Sequence, residues 1–296
     1  MSVITGTTKL LGVIGYPVEH SLSPVMHNAA IGVAHTKANL GLDYVYVPLP
    51  VKPEDLEVAI AGFAAIGVVG FSVTIPHKQA IMPLLTEISP IAQSVGAVNT
   101  VWRTSSGWSG TNTDVEGFVA PLREKNRDWS QTVAVILGNG GAARAVVAGC
   151  TQLGCAQVRV VGRNQEKLNQ FLNSWVNSPL PIKLSVHNWE ELPSLISQAD
   201  LLVNTTPIGM YPHVDKSPVD EAVMAKMPMG AIAYDLIYTP NPTQFLRAAQ
   251  AQGASAIDGL EMLVQQGAAA LQIWLQQPVP VDIMRQSLRQ HLGLST

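Results

Sequence analysis

Near the middle of the chain, Val133-Ala134-Val135-Ile136-Leu137 runs straight into Gly138-Asn139-Gly140-Gly141-Ala142-Ala143. An apolar strand followed by a G-x-G-x-x-A turn and a helix-forming stretch, Arg144-Ala145-Val146-Val147-Ala148, fits the dinucleotide fingerprint. Glycines permit the tight turn and a close backbone approach, and the helix N-terminus offers unpaired N–H groups to a pyrophosphate. The position of this unit constrains the fold as much as its sequence does. About 130 residues precede it and must build something else.

The 296 residues allow one or two domains. Apolar residues make up 47% and charged residues only 13%, which favours well-packed globular structure over a disordered chain. The net charge of −3 and the absence of any like-charge run argue against nucleic acid as a partner. Cys150 and Cys155 have no His or Cys companions at zinc spacing and read as buried reduced thiols. The seven histidines are scattered without a metal-binding pattern, so no metal is expected. The segment Met1–Lys9 lacks the basic and apolar regions of a signal peptide, and no apolar run is long enough for a membrane span. A cytoplasmic protein is the expectation.

Strand-like and helix-like segments alternate almost throughout, predicting an α/β chain with mainly parallel sheets. Leu10–Gly15 reads as the first strand, and Ser23 as the N-cap of a helix opened by Pro24. Further strands are predicted at Tyr44–Val47, Val68–Thr74 and Ala97–Arg103, the last pairing with Gly107–Asn112 through a turn. Helices are predicted at Glu54–Ala65, Lys78–Leu85 and Pro90–Ser94. After Asp114 a second series begins, with strands at Val133–Leu137, Gln157–Val161, Ile182–Val186, Leu201–Asn204 and Ala231–Leu236. Its helices are predicted at Ala142–Leu153, Gln165–Trp175, Glu190–Gln198 and Thr243–Gln252. Two terminal helices, Glu261–Gln276 and Val281–Leu292, carry apolar faces at helical spacing.

The strand after the glycine helix ends in Gly162-Arg163-Asn164 rather than in the acidic residue that binds a ribose 2′-hydroxyl. A guanidinium at that point suits a 2′-phosphate, and Lys167 adds charge one turn on. The cofactor expected from these residues is NADP.

Three polar clusters precede the glycine turn. Ser21 and Ser23 lie near a helix N-terminus, where they could hold a small carboxylate, although simple capping is the commoner use of such a serine. Lys78 follows the strand Phe71–Thr74, and ligands of parallel sheets sit beyond such strand ends. The third cluster joins Gly96-Ala97-Val98-Asn99-Thr100 with Gly110-Thr111-Asn112-Thr113-Asp114.

Together with Asn204-Thr205-Thr206-Pro207-Ile208-Gly209-Met210 and Asp258-Gly259-Leu260-Glu261-Met262-Leu263-Val264-Gln265-Gln266, these clusters make the chain resemble the shikimate dehydrogenase family over nearly its whole length. The resemblance implies an N-terminal α/β substrate domain plus a Rossmann-type doubly wound nucleotide-binding domain. It divides the chain into a substrate-binding catalytic domain of residues 1–113 and 259–296 and an NADP-binding domain of residues 114–258. Ser21 and Ser23 would hold the substrate carboxylate. Thr74, Asn99, Asp114, Tyr238 and Gln266 would bind ring hydroxyls, and Lys78 and Asp114 would form the catalytic pair. Gly138, Asn139, Gly140, Gly141 and Ala142 would cradle the pyrophosphate. Gly162, Arg163 and Lys167 would lie at the 2′-phosphate, and Leu236 and Gly259 beside the nicotinamide. Two departures stand out: Gly162 replaces a side chain that commonly contacts the adenosine, and His77 stands where an apolar or aromatic residue is common.

The implied reaction is reversible, NADP-dependent reduction of 3-dehydroshikimate to shikimate on the route to chorismate and the aromatic amino acids. A homodimer is implied as well. Two alternatives remain at this point: a quinate or dual quinate/shikimate dehydrogenase, and a non-catalytic NADP-responsive regulator. Retention of Lys78 and Asp114 argues against the second, since a sensor has no need of an acid–base pair.

Overall fold

The computed structural model describes residues 4–37, 43–178, 180–181 and 183–294. It divides into two compact units, Met1–Thr113 with Val264–Thr296, and Asp114–Leu263.

The first unit opens with β1 (Lys9–Gly15), α1 (Ser23–Lys37), β2 (Tyr44–Pro50), α2 (Leu56–Ala65) and β3 (Gly70–Val73). It continues with α3 (His77–Ala80), β4 (Glu87–Ile88), α4 (Pro90–Val95), β5 (Thr100–Thr104) and β6 (Gly107–Thr111). Its six strands lie in the order β2-β1-β3-β5-β6-β4. β1 pairs in parallel with β2 and β3, whereas β5 is antiparallel to both β3 and β6, as its hairpin with β6 requires. Phe71, Val73, Val98, Val101 and Trp108 pack with Ile60 and Phe63 of α2 on one face of this sheet. Each fully buried side chain of this size contributes about 2 kcal/mol.

The second unit contains α5 (Asp114–Arg123), β7 (Val133–Leu137), α6 (Gly141–Gln152), β8 (Gln157–Gly162), α7 (Gln165–Asn173) and β9 (Leu184–Asn188). Then come α8 (Leu192–Leu195), β10 (Leu201–Asn204), α9 (Glu221–Met224), β11 (Ile232–Asp235), α10 (Gln244–Ala251) and β12 (Ser255–Ile257). All six strands are parallel, in the order β12-β11-β10-β7-β8-β9. Strand order reverses at β7, whose residues Ala134–Leu137 are wholly buried, as a central strand covered on both faces must be. α6 lies close to α5 because Gly149 has no Cβ; one built there would stand 2.5 Å from Phe118 Cδ1. The chain then forms α11 (Gly259–Leu275), which passes from the second unit back into the first, and α12 (Val281–His291), which packs along α1.

Several expectations change. Ser23 is the first residue of α1 rather than its cap, and its own N–H is taken by Ser21 Oγ at 3.4 Å. The helix expected over Lys78–Leu85 is a single turn, α3, followed by a 3-10 turn at Met82–Leu84, because Pro83 cannot continue the α-helical ladder. The one expected over Glu190–Gln198 is likewise split into 3-10, α and 3-10 turns, with Pro193 in its first α-helical turn. β9 begins at Leu184, two residues beyond the expected start at Ile182, which lies outside the described residues, as do Met1–Val3. β4, β12 and α9 are short elements that periodicity does not reveal. Among the described residues, no helix is long and apolar enough to cross a membrane.

Candidate active site

In the first unit the chain segments beyond the strand ends are bound side by side. Thr74 N–H donates to Ile14 C=O at 3.0 Å and Tyr16 N–H to Ile75 C=O at 3.1 Å. This brings the turn carrying Ser21 and Ser23 and the segment carrying Thr74 and Lys78 out of neighbouring strands. The approach is so close that a Cβ on Gly15 would collide with Thr74 Cγ2. Val73 N–H donates to Asn99 C=O at 2.8 Å, and Val98 N–H to Lys78 C=O at 2.8 Å. Thr74, Lys78 and Asn99 therefore share one corner of the sheet.

Lys78 is half-buried on α3, a helix too short to hold itself. His77 anchors it: the ring is buried and its Nε2 donates to Val51 C=O at 2.7 Å. An apolar residue could fill this space but could not satisfy that carbonyl. Asn99 is buried and its carboxamide is held at both ends. Its Oδ1 accepts from Thr113 N–H at 2.7 Å and from the Thr100 hydroxyl at 3.0 Å. Its Nδ2 donates to Thr113 Oγ1 at 3.0 Å and, more distantly, to Gln266 Oε1 at 3.5 Å. Gln266, reached only when α11 returns to the first unit, thus joins the same corner.

Behind Ser23 lies a buried aromatic stack. His27 and Tyr46 are parallel, with centroids 4.2 Å apart, and Trp274 of α11 is tilted beside both. His27 Nδ1–H donates to Ser23 C=O at 2.8 Å. The Tyr46 hydroxyl donates to Ser72 Oγ at 2.8 Å and also interacts with the Ser23 side chain. Burial holds the His27 imidazole down to about 4, so it is neutral near pH 7, and pushes the Tyr46 phenol up.

In the second unit Gly138 directly follows β7 with φ +100°, a conformation open to glycine at little cost. A Cβ there would stand 2.9 Å from Thr205 Oγ1. Gly140 is the N-cap of α6 and supplies no side chain to its first turn. No atom lies within 4 Å of where a Cβ on Gly140 or Gly141 would be, so the turn and helix N-terminus are open to a pyrophosphate. Asn139 and Ala142 complete the turn. One strand over, Gly162 ends β8, and a Cβ on it would crowd Leu168 Cδ2 at 2.9 Å and Asn139 Oδ1 at 3.3 Å. Arg163 and Lys167 are exposed, and neither makes an ion pair among the described residues. This open cradle beside two available cations has the donor set that NADP requires. Asn164 is the N-cap of α7, its Oδ1 accepting from Lys167 N–H at 2.9 Å.

Leu236 and Tyr238 follow β11, and burial raises the Tyr238 phenol. Gly259 N–H donates to Ile237 C=O at 3.2 Å, and a Cβ on Gly259 would collide with Leu236 O. Asp114 is the first residue of α5, where a carboxylate is favoured by the helix dipole. Periodicity did not reveal the roles of His77 and His27, nor the buried polar cluster around Asp235. An acidic residue ending the apolar strand Ile232–Asp235 is the signal that could have pointed to the last of these.

Residues 13–101 match the family described as the shikimate dehydrogenase substrate binding domain. Residues 122–261 match shikimate / quinate 5-dehydrogenase, and residues 259–289 the shikimate 5'-dehydrogenase C-terminal domain. A protein of Trichormus variabilis named shikimate dehydrogenase (NADP(+)) is 68% identical over 99% of this chain and 100% of its own length. A crystal structure of a shikimate dehydrogenase in complex with NADP+ is 36% identical, covering 100% of this chain and 99% of that one, with a TM-score of 0.84. The Listeria monocytogenes shikimate 5-dehydrogenase, solved with shikimate and NAD, is 33% identical with a TM-score of 0.86 and covers 97% of this chain and 99% of that one. The substrate-binding and nucleotide-binding halves of the fold, and the full-length agreement with these relatives, lead to one conclusion: the chain belongs to the shikimate dehydrogenase family.

Proposed function

We propose that this protein is an NADP-dependent oxidoreductase that interconverts 3-dehydroshikimate and shikimate in aromatic amino acid biosynthesis. The observation that carries the reading is the gathering of Thr74, Lys78, Asn99 and Gln266 at one corner of the first unit's sheet. Hydroxyl, ammonium and carboxamide groups so placed suit a small polyhydroxylated ring. Ser21 and Ser23, beside the N-terminus of α1, hold the substrate carboxylate. Thr74, Asn99, Asp114, Tyr238 and Gln266 bind the ring hydroxyls.

Lys78 and Asp114 form the acid–base pair, holding and releasing the proton of the hydroxyl at the reacting carbon. The nucleotide, when bound, would supply the hydride as NADPH for reduction and would accept it as NADP+ in the reverse direction. Gly138, Asn139, Gly140, Gly141 and Ala142 present backbone to its pyrophosphate. Arg163 and Lys167, beside Gly162, take the 2′-phosphate, and Leu236 and Gly259 flank the nicotinamide. Residues 1–113 and 259–296 form the substrate-binding part and residues 114–258 the nucleotide-binding part. The same family resemblance supports a cytoplasmic homodimer, which sedimentation velocity tests.

The deciding experiment follows absorbance of the reduced nicotinamide with shikimate or quinate and with NADP+ or NAD+. Turnover with shikimate and NADP+ that exceeds the other three combinations supports the proposal. Higher kcat/KM for quinate, or NADP+ binding without turnover, overturns it.

A further inference from the structure

Asp235 ends β11 with its side chain wholly buried, and no cation pairs with it among the described residues. Three neutral donors hold the carboxylate instead. Oδ1 accepts from Asn204 Nδ2 at 3.0 Å and from Ile237 N–H at 3.1 Å, and Oδ2 accepts from the Thr243 hydroxyl at 2.6 Å. A buried carboxylate without a cation is costly, so its donors must be well aligned.

Each donor belongs to a different segment. Asn204 ends β10, and its Oδ1 accepts, from the connection that follows, the Thr206 N–H at 3.0 Å and the Thr206 hydroxyl at 2.7 Å. Within the same connection, Thr205 donates to Leu137 C=O from both its N–H, at 3.0 Å, and its hydroxyl, at 2.7 Å. Leu137 directly precedes the Gly138 turn. Ile237 lies between Leu236 and Tyr238, and its carbonyl accepts from Gly259 N–H. Thr243 is the N-cap of α10, with Oγ1 also accepting from Leu246 N–H at 3.3 Å. The carboxylate is therefore wired to the glycine turn in one direction and to the Leu236 and Gly259 backbone in the other.

We propose that Asp235 is a positioning residue that sets the spacing between the Gly138 turn and the backbone at Leu236 and Gly259, and thereby governs NADP affinity and hydride geometry without touching the cofactor. The inference rests on the cofactor placement in the proposed function. Burial pushes the Asp235 carboxyl up to about 6, so it is predominantly anionic at neutral pH and each donor makes a charge-assisted bond. An asparagine keeps the shape but loses the charge, and its Nδ2 would face Thr243 Oγ1, which already accepts from Leu246.

The test uses the full-length Asp235→Asn protein at pH 7.5, with NADP+ affinity from titration calorimetry, melting temperature, and kcat and KM for each substrate. The expected result is NADP+ affinity weakened at least fivefold and kcat lowered at least tenfold. Melting should stay within a few degrees of the wild type, and KM for shikimate should change less than twofold. NADP+ affinity and kcat within twofold of the wild type overturn the proposal, as does a lowered melting temperature with unchanged NADP+ affinity. If Asp235→Asn does not fold, Thr243→Val and Thr243→Ser decide. The serine variant should bind NADP+ as the wild type does while the valine variant binds it at least fivefold more weakly, and equal affinities overturn the proposal. Should the wild type fail to turn over shikimate, the functional reading falls, while the NADP+ titrations still report on Asp235.

Discussion

Asn99 Oδ1 accepts the Thr113 backbone N–H at 2.7 Å, and Asn99 Nδ2 donates to Thr113 Oγ1 at 3.0 Å. One buried carboxamide thus holds both the N–H and the hydroxyl of the residue that precedes Asp114. The main chain enters α5 from a point set by Asn99, whose own carbonyl is bound by Val73 beside Thr74.

Asn99→Ala removes these bonds and leaves the Thr113 N–H without its acceptor. An unmet buried donor costs about 1–3 kcal/mol, so a stability loss of about 3 kcal/mol is expected when the Thr100 hydroxyl is included. Urea denaturation measures it. KM for shikimate should rise at least tenfold while KM for NADP+ stays within threefold.

Lys78→Met keeps much of the apolar stem and deletes the ammonium. A positioned proton donor contributes roughly 100- to 10,000-fold, and kcat should fall by that factor. NADP+ affinity, measured by calorimetry, should be unchanged. A kcat within fivefold of the wild type would remove Lys78 from the acid–base pair.

Arg163→Ala should raise KM for NADP+ by roughly 10- to 100-fold, the value of charge-assisted bonds worth about 1.5–3 kcal/mol. KM for NAD+, which carries no 2′-phosphate, should shift less than twofold. Steady-state kinetics with both nucleotides reads the difference. Equal effects on the two would place Arg163 away from the 2′-phosphate.

His27 makes stability depend on pH in a defined direction. Its pKa falls from 6.5 to about 4 on folding, so between those values the unfolded chain binds a proton that the native one does not. Its contribution is complete above pH 6.5 and is lost as pH falls towards 4, a change of about 3 kcal/mol. Urea unfolding of the wild type and His27→Gln from pH 4.5 to 7 checks this. The difference in stability between the two proteins should widen as pH rises, and a constant difference would show that His27 does not titrate between the states.

The sequence by itself determined the second unit closely. β7, the glycine turn and β10 lie where apolar runs and punctuation place them, because a buried parallel strand needs an uninterrupted apolar run and a tight turn needs glycine. It also singled out Lys78, which follows a strand where such sheets carry ligands, and Arg163, a guanidinium where an acidic residue would bind a ribose 2′-hydroxyl, whereas Asn99 was drawn out by its polar cluster and the family resemblance. Short turns were less legible. α3 and the segment around Pro193 depend on where proline interrupts the hydrogen-bond ladder and on what anchors the remaining turn. Only the tertiary structure decided what His77, His27 and Asp235 do. Their partners, Val51, Tyr46 and Thr243, are brought to them by folding, and hydrogen bonding between distant segments leaves no periodic trace in the chain. Gln266 is the extreme case: 167 positions from Asn99, it meets that residue only because α11 returns to the first unit.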